Sequence, residues 1–386
     1  MLVWQQQKNS GGRRVGMLTT KSGVLQTPFF MPDATRATVR GVTSDELKMS
    51  GTMALVVNTY HLMLQPGESL VRRAGGVHTF MHWDRPILSD SGGYQVYSLI
   101  HKNPQMGRIT EEGAEFRSVL DGTKHLLTPE RAIQIQFDLD VDMMVVLDDP
   151  RPNSAPETEV REAVKRTLRW AQRSKTEYEK QVALRGLTGE IRPLLFGVVQ
   201  GGMFREERKR CVEGLVEINF DGYGFGGRHI DMEGNFLEDI LLYTASLIPE
   251  DSLRFALGVG TPEDIARCHA LGWDMFDCVI PTREGRHGRL FVWKSEVIPS
   301  VSEESRDSSA APQNDRNFYT TINISNAQYE EDFSPVDPTC DCELCTKYTR
   351  AYLKHLFKVG EPLAARLASL HNLRFYAKLM DLLQKG

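Results

Sequence analysis

Short apolar runs recur along the first three quarters of the chain, and stretches with a helical period of hydrophobic positions separate them. Eight runs have the length of buried strands and lie at residues 28–32, 53–58, 86–90, 142–148, 194–200, 222–226, 255–258 and 275–280. Helical stretches lie between them at residues 43–49, 129–137, 156–179, 205–218, 235–247 and 261–271. Eight alternations of strand and helix over about 250 residues predict an α/β fold, the parallel (β/α)8 or TIM barrel. An open, doubly wound sheet is the alternative.

Polar residues and glycines stand at or next to the carboxyl ends of these predicted strands. They are Asn58, Asp90, Asp148, Gln200, Gly227, Gly258 and Asp277. The catalytic groups of a (β/α)8 barrel gather at this end, because the loops that follow the strands form one face. We therefore expect these residues to converge on a single site.

One of these residues, Asp277, is the only carboxylate in the apolar run 275–280, and the basic residues Arg283, Arg286 and Arg289 follow it. A buried carboxylate is rare in proteins unless it is paired. An acid inside a strand with a basic loop behind it indicates a charged reaction centre beside a polyanion. A satisfied core aspartate followed by a solvated loop is the alternative.

Glycine pairs follow three of the predicted strands, at residues 92–93, 201–202 and 226–227. Because glycine has no Cβ, these turns let the backbone approach a ligand closely, and together they indicate a flat ligand held by backbone N–H groups. Glycine pairs that only form tight turns between a strand and a helix are the alternative. Residues 258–264 begin a helix with a Thr cap and a Pro in the first turn. The free N–H groups of such a helix start can bind a phosphate. An ordinary capped helix without a ligand is the alternative.

Composition places the chain among ordinary globular proteins, with 386 residues, 41% hydrophobic content and a net charge of −5. Mild acidity does not exclude a nucleic acid, because a local basic patch suffices to bind one. The polar first sixteen residues predict no signal peptide, and no apolar run reaches membrane-spanning length. Six cysteines in a chain of this size are not typical of a secreted scaffold. We expect a cytoplasmic protein that does not contact a membrane.

Residues 296–315 are rich in Ser, Glu and Asp and predict a disordered loop. We expect this segment, taken as residues 296–317, to separate a catalytic barrel domain, residues 1–295, from a C-terminal subdomain, residues 318–386. The loop composition cannot bury a core, so we expect the loop to be dispensable for catalysis.

The C-terminal piece carries Cys340, Cys342 and Cys345, and His371 follows on a later helix. Three thiols within six residues cannot all pair with one another, but together with an imidazole they can hold one tetrahedral ion. Four protein ligands leave no position for water. We therefore predict a structural Zn²⁺ site in a helical subdomain, which fixes the helices at residues 347–359 and 363–383 to the barrel.

In this combination the motifs resemble those of the tRNA-guanine transglycosylases, the enzymes that exchange a guanine in tRNA for a 7-deazaguanine. The resemblance runs from about Gly16 to the C-terminus. Its motifs are NTYHL at 58–62, DSGGYQ at 90–95, FRS at 116–118, DG at 121–122, VQGG at 199–202, GVGTPED at 258–264, MFDCV at 275–279, PTR at 281–283 and the set Cys340, Cys342, Cys345 and His371.

The resemblance implies a role for each site residue. Asp277 is then the nucleophile on C1′ of the ribose, and Asp90 is the general acid and base. The residues implied in binding the base are Asp90, Ser91, Gly92, Gly93, Tyr94, Asp148, Gln200 and Gly227, with Tyr94 stacked on the base. Those implied in binding tRNA are Gly258, Val259, Gly260, Thr261, Pro262, Glu263, Asp264, Thr282, Arg283, Glu284, Gly285 and Arg286.

The chemistry of this exchange agrees with the residue types. Cleavage of an N-glycosidic bond builds oxocarbenium character at C1′, which a carboxylate on the opposite face can trap. The departing purine must gain a proton and the incoming one must lose a proton, and one carboxyl group can serve both. Two carboxylates in unlike environments are therefore required, and no redox or nucleotide cofactor is needed. A base in an anticodon loop must also be flipped out and stacked.

The resemblance also bears on partners. Bacterial members of the family form homodimers with help from the zinc subdomain, so we expect a homodimer here. The member specific for the D-arm carries a further C-terminal RNA-binding domain, and its absence before Gly386 favours the anticodon wobble guanine. Pro150 and Arg228 depart from the family pattern in the expected base pocket. They leave open whether the incoming base is 7-aminomethyl-7-deazaguanine or queuine.

Two other function classes are compatible with a barrel of this kind. A hydrolytic glycosidase would need an activated water and a groove lined by several aromatic residues, and the aromatic content is only 9%. A non-catalytic accessory homologue would be expected to lack one of the two aspartates, whereas Asp90 and Asp277 are both present.

Overall fold

The computed structural model describes residues 4–294 and 318–385. The β-strands in these ranges are β1 (Trp4–Ser10), β2 (Arg13–Thr20), β3 (Gly23–Thr27), β4 (Phe29–Pro32), β5 (Leu55–Asn58), β6 (Ile87–Asp90), β7 (Gly107–Ile109), β8 (Ala114–Arg117), β9 (Lys124–Leu127), β10 (Met143–Val145), β11 (Leu194–Val199), β12 (Gly222–Phe225), β13 (Leu253–Ala256), β14 (Met275–Cys278), β15 (Arg289–Trp293) and β16 (Tyr319–Asn323).

The α-helices in the same ranges are α1 (Ser44–Met49), α2 (Thr59–Leu64), α3 (Glu68–Arg73), α4 (Gly76–Met81), α5 (Gly93–Lys102), α6 (Pro129–Leu139), α7 (Glu157–Leu184), α8 (Arg205–Ile218), α9 (Glu238–Leu247), α10 (Pro262–Ala270), α11 (Ile280–Arg286), α12 (Glu343–Lys347), α13 (Arg350–Val359) and α14 (Pro362–Lys385). None of them is both long and apolar enough to span a bilayer.

Eight strands form one parallel sheet in the order β4-β14-β13-β12-β11-β10-β6-β5. The two ends of this sheet meet at an isolated parallel bridge between Asp33, directly after β4, and Val56 of β5. There the N–H of Ala34 donates a 2.7 Å hydrogen bond to the carbonyl of Val56. All eight predicted strands are present and the sheet closes. The predicted (β/α)8 barrel is therefore confirmed, and the open sheet is excluded.

Three of the predicted barrel helices, α1, α6 and α10, begin at a threonine whose side chain caps the helix. The Thr43 side chain accepts from the N–H of Glu46, whose carboxylate accepts in return from the N–H of Thr43, so α1 starts with a capping box. Thr128 caps α6 and Thr261 caps α10, and each of these helices has proline in its first turn. Proline is favoured there because its missing N–H would have no helical partner.

Three antiparallel sheets in the described residues were not predicted, and two of them lie before residue 129. One, β1-β2-β3, precedes the barrel, and the other, β7-β8-β9, is inserted between α5 and α6. Their strands alternate between buried and exposed residues; in β2, for example, Leu18 is fully buried while its neighbour Met17 is partly exposed. Such half-polar strands lack the continuous apolar runs that identify the buried strands of a barrel.

The C-terminal region has a hydrophobic cluster of its own, which includes Leu290, Ile324, Leu344 and Leu353. Strands β15 and β16, which precede and follow residues 295–317 in the sequence, pair with each other. The predicted disordered loop lies outside the described residues. The helix predicted over residues 347–359 is present as α13, which begins at Arg350 because the side chain of Thr349 accepts from the N–H of Tyr352. Lys347 instead ends the separate short helix α12.

Candidate active site

The register of the barrel strands places several carboxylates on one face of the sheet. Asp277 of β14 is paired with Met31 of β4, so these side chains point the same way. Phe30 points the opposite way and contacts Tyr376 of the outer helix α14, with ring centroids 4.7 Å apart. Met31 and Asp277 therefore face the inside of the barrel. Asp33, two residues after Met31, faces the inside as well.

Asn58 and Asp90 complete this inner group. They are paired across β5 and β6, at the carboxyl ends of both strands. The Asn58 side chain donates from Nδ2 to Oδ2 of Asp90 at 3.0 Å. Desolvation raises the pKa of Asp90, and hydrogen bonds from Gln95, the backbone of Ser91 and Gly92, and Asn58 oppose that rise. Near neutral pH, the Asp90 carboxyl group is therefore protonated in a larger fraction of molecules than an ordinary aspartic acid.

Asp277 is held by one strong contact. The N–H of Gly258 donates to its Oδ1 at 2.7 Å. Desolvation raises the pKa of Asp277 well above its usual value, and the negative charges of Asp33 and Asp90 raise it further. The barrel interior thus places this carboxylate in an environment unlike that of an exposed acid.

Asp33 is a further carboxylate of this group that the sequence pattern does not identify. Desolvation, with repulsion from Asp90, raises its pKa to about 7, while the nearby Arg283 opposes the rise. The available sign was its position: Asp33 directly follows the short, fully buried strand β4, and Asp90 likewise lies at the carboxyl end of the short strand β6. No glycine turn follows Asp33, so the pattern that drew attention to Asp90 was missing.

A second polar group lies at the ends of β10 and β11. Gln200 donates from Nε2 to Oδ2 of Asp148 at 2.6 Å. Desolvation raises the pKa of Asp148 to about 7 despite this hydrogen bond. Gly226 passes so close that a Cβ there would lie 2.5 Å from Nε2 of Gln200. Glycine is therefore needed at this turn because the Gln200 side chain and the carbonyl of Val199 lie against it.

Arg208 of α8 supports this group from behind and was not predicted. Its guanidinium is buried and donates to the carbonyls of Gly202 at 2.9 Å, Val199 at 3.1 Å and Gly226 at 3.1 Å. A trans peptide directs its C=O and the following N–H in opposite directions. Because Arg208 donates a hydrogen bond to the carbonyl of Gly226, the N–H of Gly227 points away from Arg208.

Tyr94 lies at the start of α5, and its side chain is 56% exposed. It follows the buried Ser91 and the turn at Gly92 and Gly93, so it stands close to Asp90 along the chain. An exposed aromatic ring beside a glycine turn is free to stack on a flat ligand.

The two positions that depart from the family pattern differ in their surroundings. Pro150 is buried, and the preceding Asp149 forms ion pairs with Arg151 at 3.0 Å and with Arg166. The Arg228 side chain is exposed, and its carbonyl accepts a 3.2 Å hydrogen bond from Nδ2 of Asn153.

Residues 258–264 form the start of α10, as predicted. Gly258 is exposed, whereas Val259 and Pro262 are buried. The side chain of Thr261 accepts from the N–H of Asp264 at 3.2 Å, and Asp264 also faces His229. The other two residues of this stretch are Gly260, which is buried, and Glu263, which is partly exposed. The exposed backbone at Gly258 borders the site, since its N–H holds Asp277.

The basic stretch after Asp277 is a helix, α11, and not the predicted loop. Pro281 fits its first turn because proline is favoured at a helix start. Thr282 and Gly285 are buried, Glu284 and Arg286 are partly exposed, and Arg283 is exposed. Desolvation and the positive charges of Arg40 and Arg283 lower the pKa of Arg286. Arg40, Arg283 and Arg286 thus form a basic cluster, and the charge of Arg283 also acts on Asp33.

The four predicted metal ligands come together. The ligand atoms of Cys340, Cys342, Cys345 and His371 all lie within 4.8 Å of one another. Nδ1 of His371 is 3.5 Å from Sγ of Cys342 and 3.3 Å from Sγ of Cys345. Its Nε2 is 2.7 Å from the carbonyl of Phe291, which fixes the ring with Nδ1 towards the thiols. Three sulfurs and one nitrogen at these separations fit a tetrahedral metal ion.

Helix α14 connects this cluster to α11. Asn372, next to His371, donates from Nδ2 to the carbonyls of Pro281 and Arg289, both at 2.9 Å. A Cβ on Gly285 would lie 2.8 Å from backbone atoms of Ser369 in α14. The two helices are therefore in close contact, and the metal cluster is mechanically joined to the helix that follows Asp277.

Comparison with known proteins agrees with this geometry. The family model described as queuine tRNA-ribosyltransferase matches residues 9–385. The queuine tRNA-ribosyltransferase of Caldanaerobacter subterraneus subsp. tengcongensis is 42% identical over 373 residues, which cover 97% of this chain and 89% of that protein. The proteins of the same name from Idiomarina loihiensis and Pelotomaculum thermopropionicum are 41% and 40% identical, over 97% and 96% of this chain and 90% of each relative. The resemblance inferred from the motifs is confirmed, and the chain belongs to the queuine tRNA-ribosyltransferase family.

Proposed function

We propose that this pentosyltransferase exchanges the wobble guanine of tRNA anticodons for a 7-deazaguanine base through a covalent intermediate on Asp277, in queuosine biosynthesis. The observation that carries the proposal is the convergence of Asp90 and Asp277 on the inner face of the barrel, at the carboxyl ends of their strands. Two carboxylates in unlike surroundings at one site are what a double displacement at C1′ requires.

In the first half of the reaction, a carboxylate oxygen of Asp277 attacks C1′ of the target ribose from the face opposite the base. The bond from C1′ to N9 breaks, and its electron pair goes to the departing guanine. Asp90 gives that guanine a proton. The raised pKa of Asp90 supports this role, because a carboxyl group must hold a proton before it can donate one.

In the second half, the incoming 7-deazaguanine attacks C1′ through its own ring nitrogen, and the bond to Asp277 breaks. The incoming nitrogen loses a proton, which returns to Asp90. The proton count closes over the cycle, so the same carboxyl group acts as acid and then as base. No further reactant is needed, since one glycosidic bond is broken and one is made.

Base recognition falls to the group around Asp148 and Gln200. A carboxylate accepts from the adjacent N–H groups on the guanine edge, and an amide nitrogen donates to a ring or exocyclic acceptor. The N–H of Gly227, oriented by Arg208, supplies a further donor. Tyr94 stacks on the flipped base, because its ring is exposed at the mouth of the site. The incoming base is 7-aminomethyl-7-deazaguanine or queuine.

The basic cluster of Arg40, Arg283 and Arg286 binds the tRNA backbone around the target nucleotide. Phosphates dominate the affinity of proteins for nucleic acids, and a guanidinium matches a phosphate in charge and geometry. The exposed backbone at Gly258 borders the same face. The anticodon loop suits this site, since sequence-specific enzymes reach bases most readily in unpaired loops.

The cysteine–histidine cluster holds a structural Zn²⁺ ion. Four protein donors leave no open position on a tetrahedral ion, so the metal takes no part in the exchange.

We also infer a homodimer in which this subdomain contributes to the interface. The large side chain of Phe333 is 75% exposed and that of Tyr352 is 40% exposed. Sedimentation equilibrium measures the mass directly, and a monomer at micromolar concentration would contradict the dimer.

The test is a guanine-exchange assay with unmodified tRNA and radiolabelled guanine. Incorporation of label into tRNA is the expected result. Release of guanine without incorporation would indicate a hydrolase instead, and binding of tRNA without either reaction would indicate a non-catalytic homologue. Mapping the labelled nucleotide by nuclease digestion then shows whether the target is the wobble position.

A further inference from the structure

Asp33 has no role in the exchange as proposed, yet it lies among the groups that do. The backbone bridge from Asp33 to Val56 closes the barrel between β4 and β5. Strand β4 neighbours β14, which carries Asp277, and β5 and β6 carry Asn58 and Asp90. Strand alternation turns its side chain to the inside, above Met31. Asp33 thus stands between the proposed nucleophile and the proposed proton shuttle.

The carboxylate of Asp33 accepts no hydrogen bond from residues 4–294 or 318–385. Its interactions there are electrostatic: repulsion from Asp90 and Asp277 and attraction to Arg283. A largely buried carboxylate without a donor is unusual, because desolvation is normally compensated by hydrogen bonds. Asp33 therefore has an unused acceptor that faces the substrate site.

The stereochemistry of a ribonucleoside shows which substrate group can reach this acceptor. The base is on the β face of the ribose, so a nucleophile that displaces it approaches C1′ from the α face. The 2′-hydroxyl is also on the α face, attached to the carbon next to C1′. A carboxylate beside the nucleophile therefore faces the 2′-hydroxyl.

We propose that Asp33 accepts a hydrogen bond from the 2′-hydroxyl of the target nucleotide and so makes the enzyme prefer a ribonucleotide to a deoxyribonucleotide. The inference rests on the proposed function, since it places the ribose against Asp277. Arg283 supports the acceptor role, because its positive charge favours the ionised form of Asp33. The same bond orients C1′ towards Asp277.

The experiment uses anticodon stem–loops that carry either guanosine or 2′-deoxyguanosine at the target position. We measure kcat/KM for guanine exchange on both substrates with the wild-type protein and with Asp33→Ala. Removing the 2′-hydroxyl also changes the intrinsic lability of the glycosidic bond, but that effect cancels when the two ribo-to-deoxyribo ratios are compared. We expect the wild-type ratio to exceed the Asp33→Ala ratio by roughly 10- to 100-fold, as for a hydrogen bond to a charged group.

Asp251→Ala is the matched control, because Asp251 is exposed at the amino end of β13, opposite the site. It should keep the wild-type ratio. If Asp33→Ala fails to fold, Asp33→Asn replaces it, and its ratio should fall by a smaller factor because an amide oxygen still accepts without the charge. Equal ratios in the wild-type protein and a folded Asp33 variant would overturn the role of Asp33. A wild-type protein without exchange on the ribonucleotide would instead overturn the proposed function.

Discussion

The N–H of Gly258 donates a 2.7 Å hydrogen bond to Oδ1 of Asp277. Within the described residues no donor bonds the second oxygen, Oδ2, of the same carboxylate. One oxygen is thus fixed by the backbone at the end of β13, while the other keeps its lone pairs for a substrate. Preorganisation of this kind places a nucleophile without using a side chain that would compete for the substrate.

The pH dependence of the exchange tests the surroundings of Asp277. The attacking carboxylate must be ionised, so activity falls as the pH drops below the pKa of Asp277. Desolvation and the charge of Asp33 raise that pKa well above the usual range of an aspartic acid. The acid limb of kcat/KM should therefore lie at a higher pH than an unperturbed carboxyl group gives.

Asp33→Asn removes one of the repelling charges and should lower the pKa of Asp277, which shifts the acid limb towards lower pH. A pH profile of the two proteins on the same tRNA measures the shift. An acid limb that stays in place in a folded Asp33→Asn protein would show that the two carboxylates do not interact.

The substitution Arg208→Lys tests how the base subsite is held. An ammonium group cannot span the three carbonyls that the guanidinium bonds, so at least one buried acceptor loses its donor, at a cost of about 1–3 kcal/mol. We expect a lower melting temperature and a KM for the base about tenfold higher, with a smaller change in the KM for tRNA. Lys209→Ala, an exposed neighbour on α8, is the control and should change neither. Equal increases in both KM values would argue against a local role in the base subsite.

The contact between α11 and α14 predicts the effect of Gly285→Ala. The added Cβ would lie 2.8 Å from the backbone of Ser369, so α11 or α14 must shift, and a shift of α11 would displace Thr282 and Arg283. Overpacking of this kind costs about 1–3 kcal/mol. We expect a lower melting temperature and weaker tRNA binding in a filter-binding or fluorescence assay. Wild-type values of both would show that the two helices do not constrain each other.

The metal site predicts coupled losses of metal and stability. Cys342→Ala removes one of four ligands and should lower the zinc content and the melting temperature together, because binding of a structural metal contributes directly to folding. Cys268→Ala, at a buried core cysteine outside the cluster, should retain the full metal content. Elemental analysis and thermal melts measure both quantities. Full exchange activity in a zinc-free, folded protein would contradict a structural role.

The barrel was predictable because its buried parallel strands are continuous apolar runs, and because caps such as Thr261 before Pro262 mark where helices begin. The metal ligands were predictable from their spacing and chemistry alone. Asp33 and Arg208 were not, because their importance comes from register and from distant carbonyls that a single sequence does not display. The sequence predicts a loop in place of the helix α11, because the seven residues of this helix are too few to show a helical period.

The most direct test of the whole account is to trap the covalent intermediate. Labelled tRNA is incubated with enzyme and an exchangeable base, and the mixture is run on a denaturing gel. The wild-type protein should give a protein–RNA band, whereas Asp277→Asn should give none and lose about 10³-fold or more of its exchange activity. The variant should still bind tRNA, since Arg283 and Arg286 are unchanged. A persistent covalent band with Asp277→Asn would contradict the assignment and move the nucleophile to another carboxylate, with Asp90 as the first candidate.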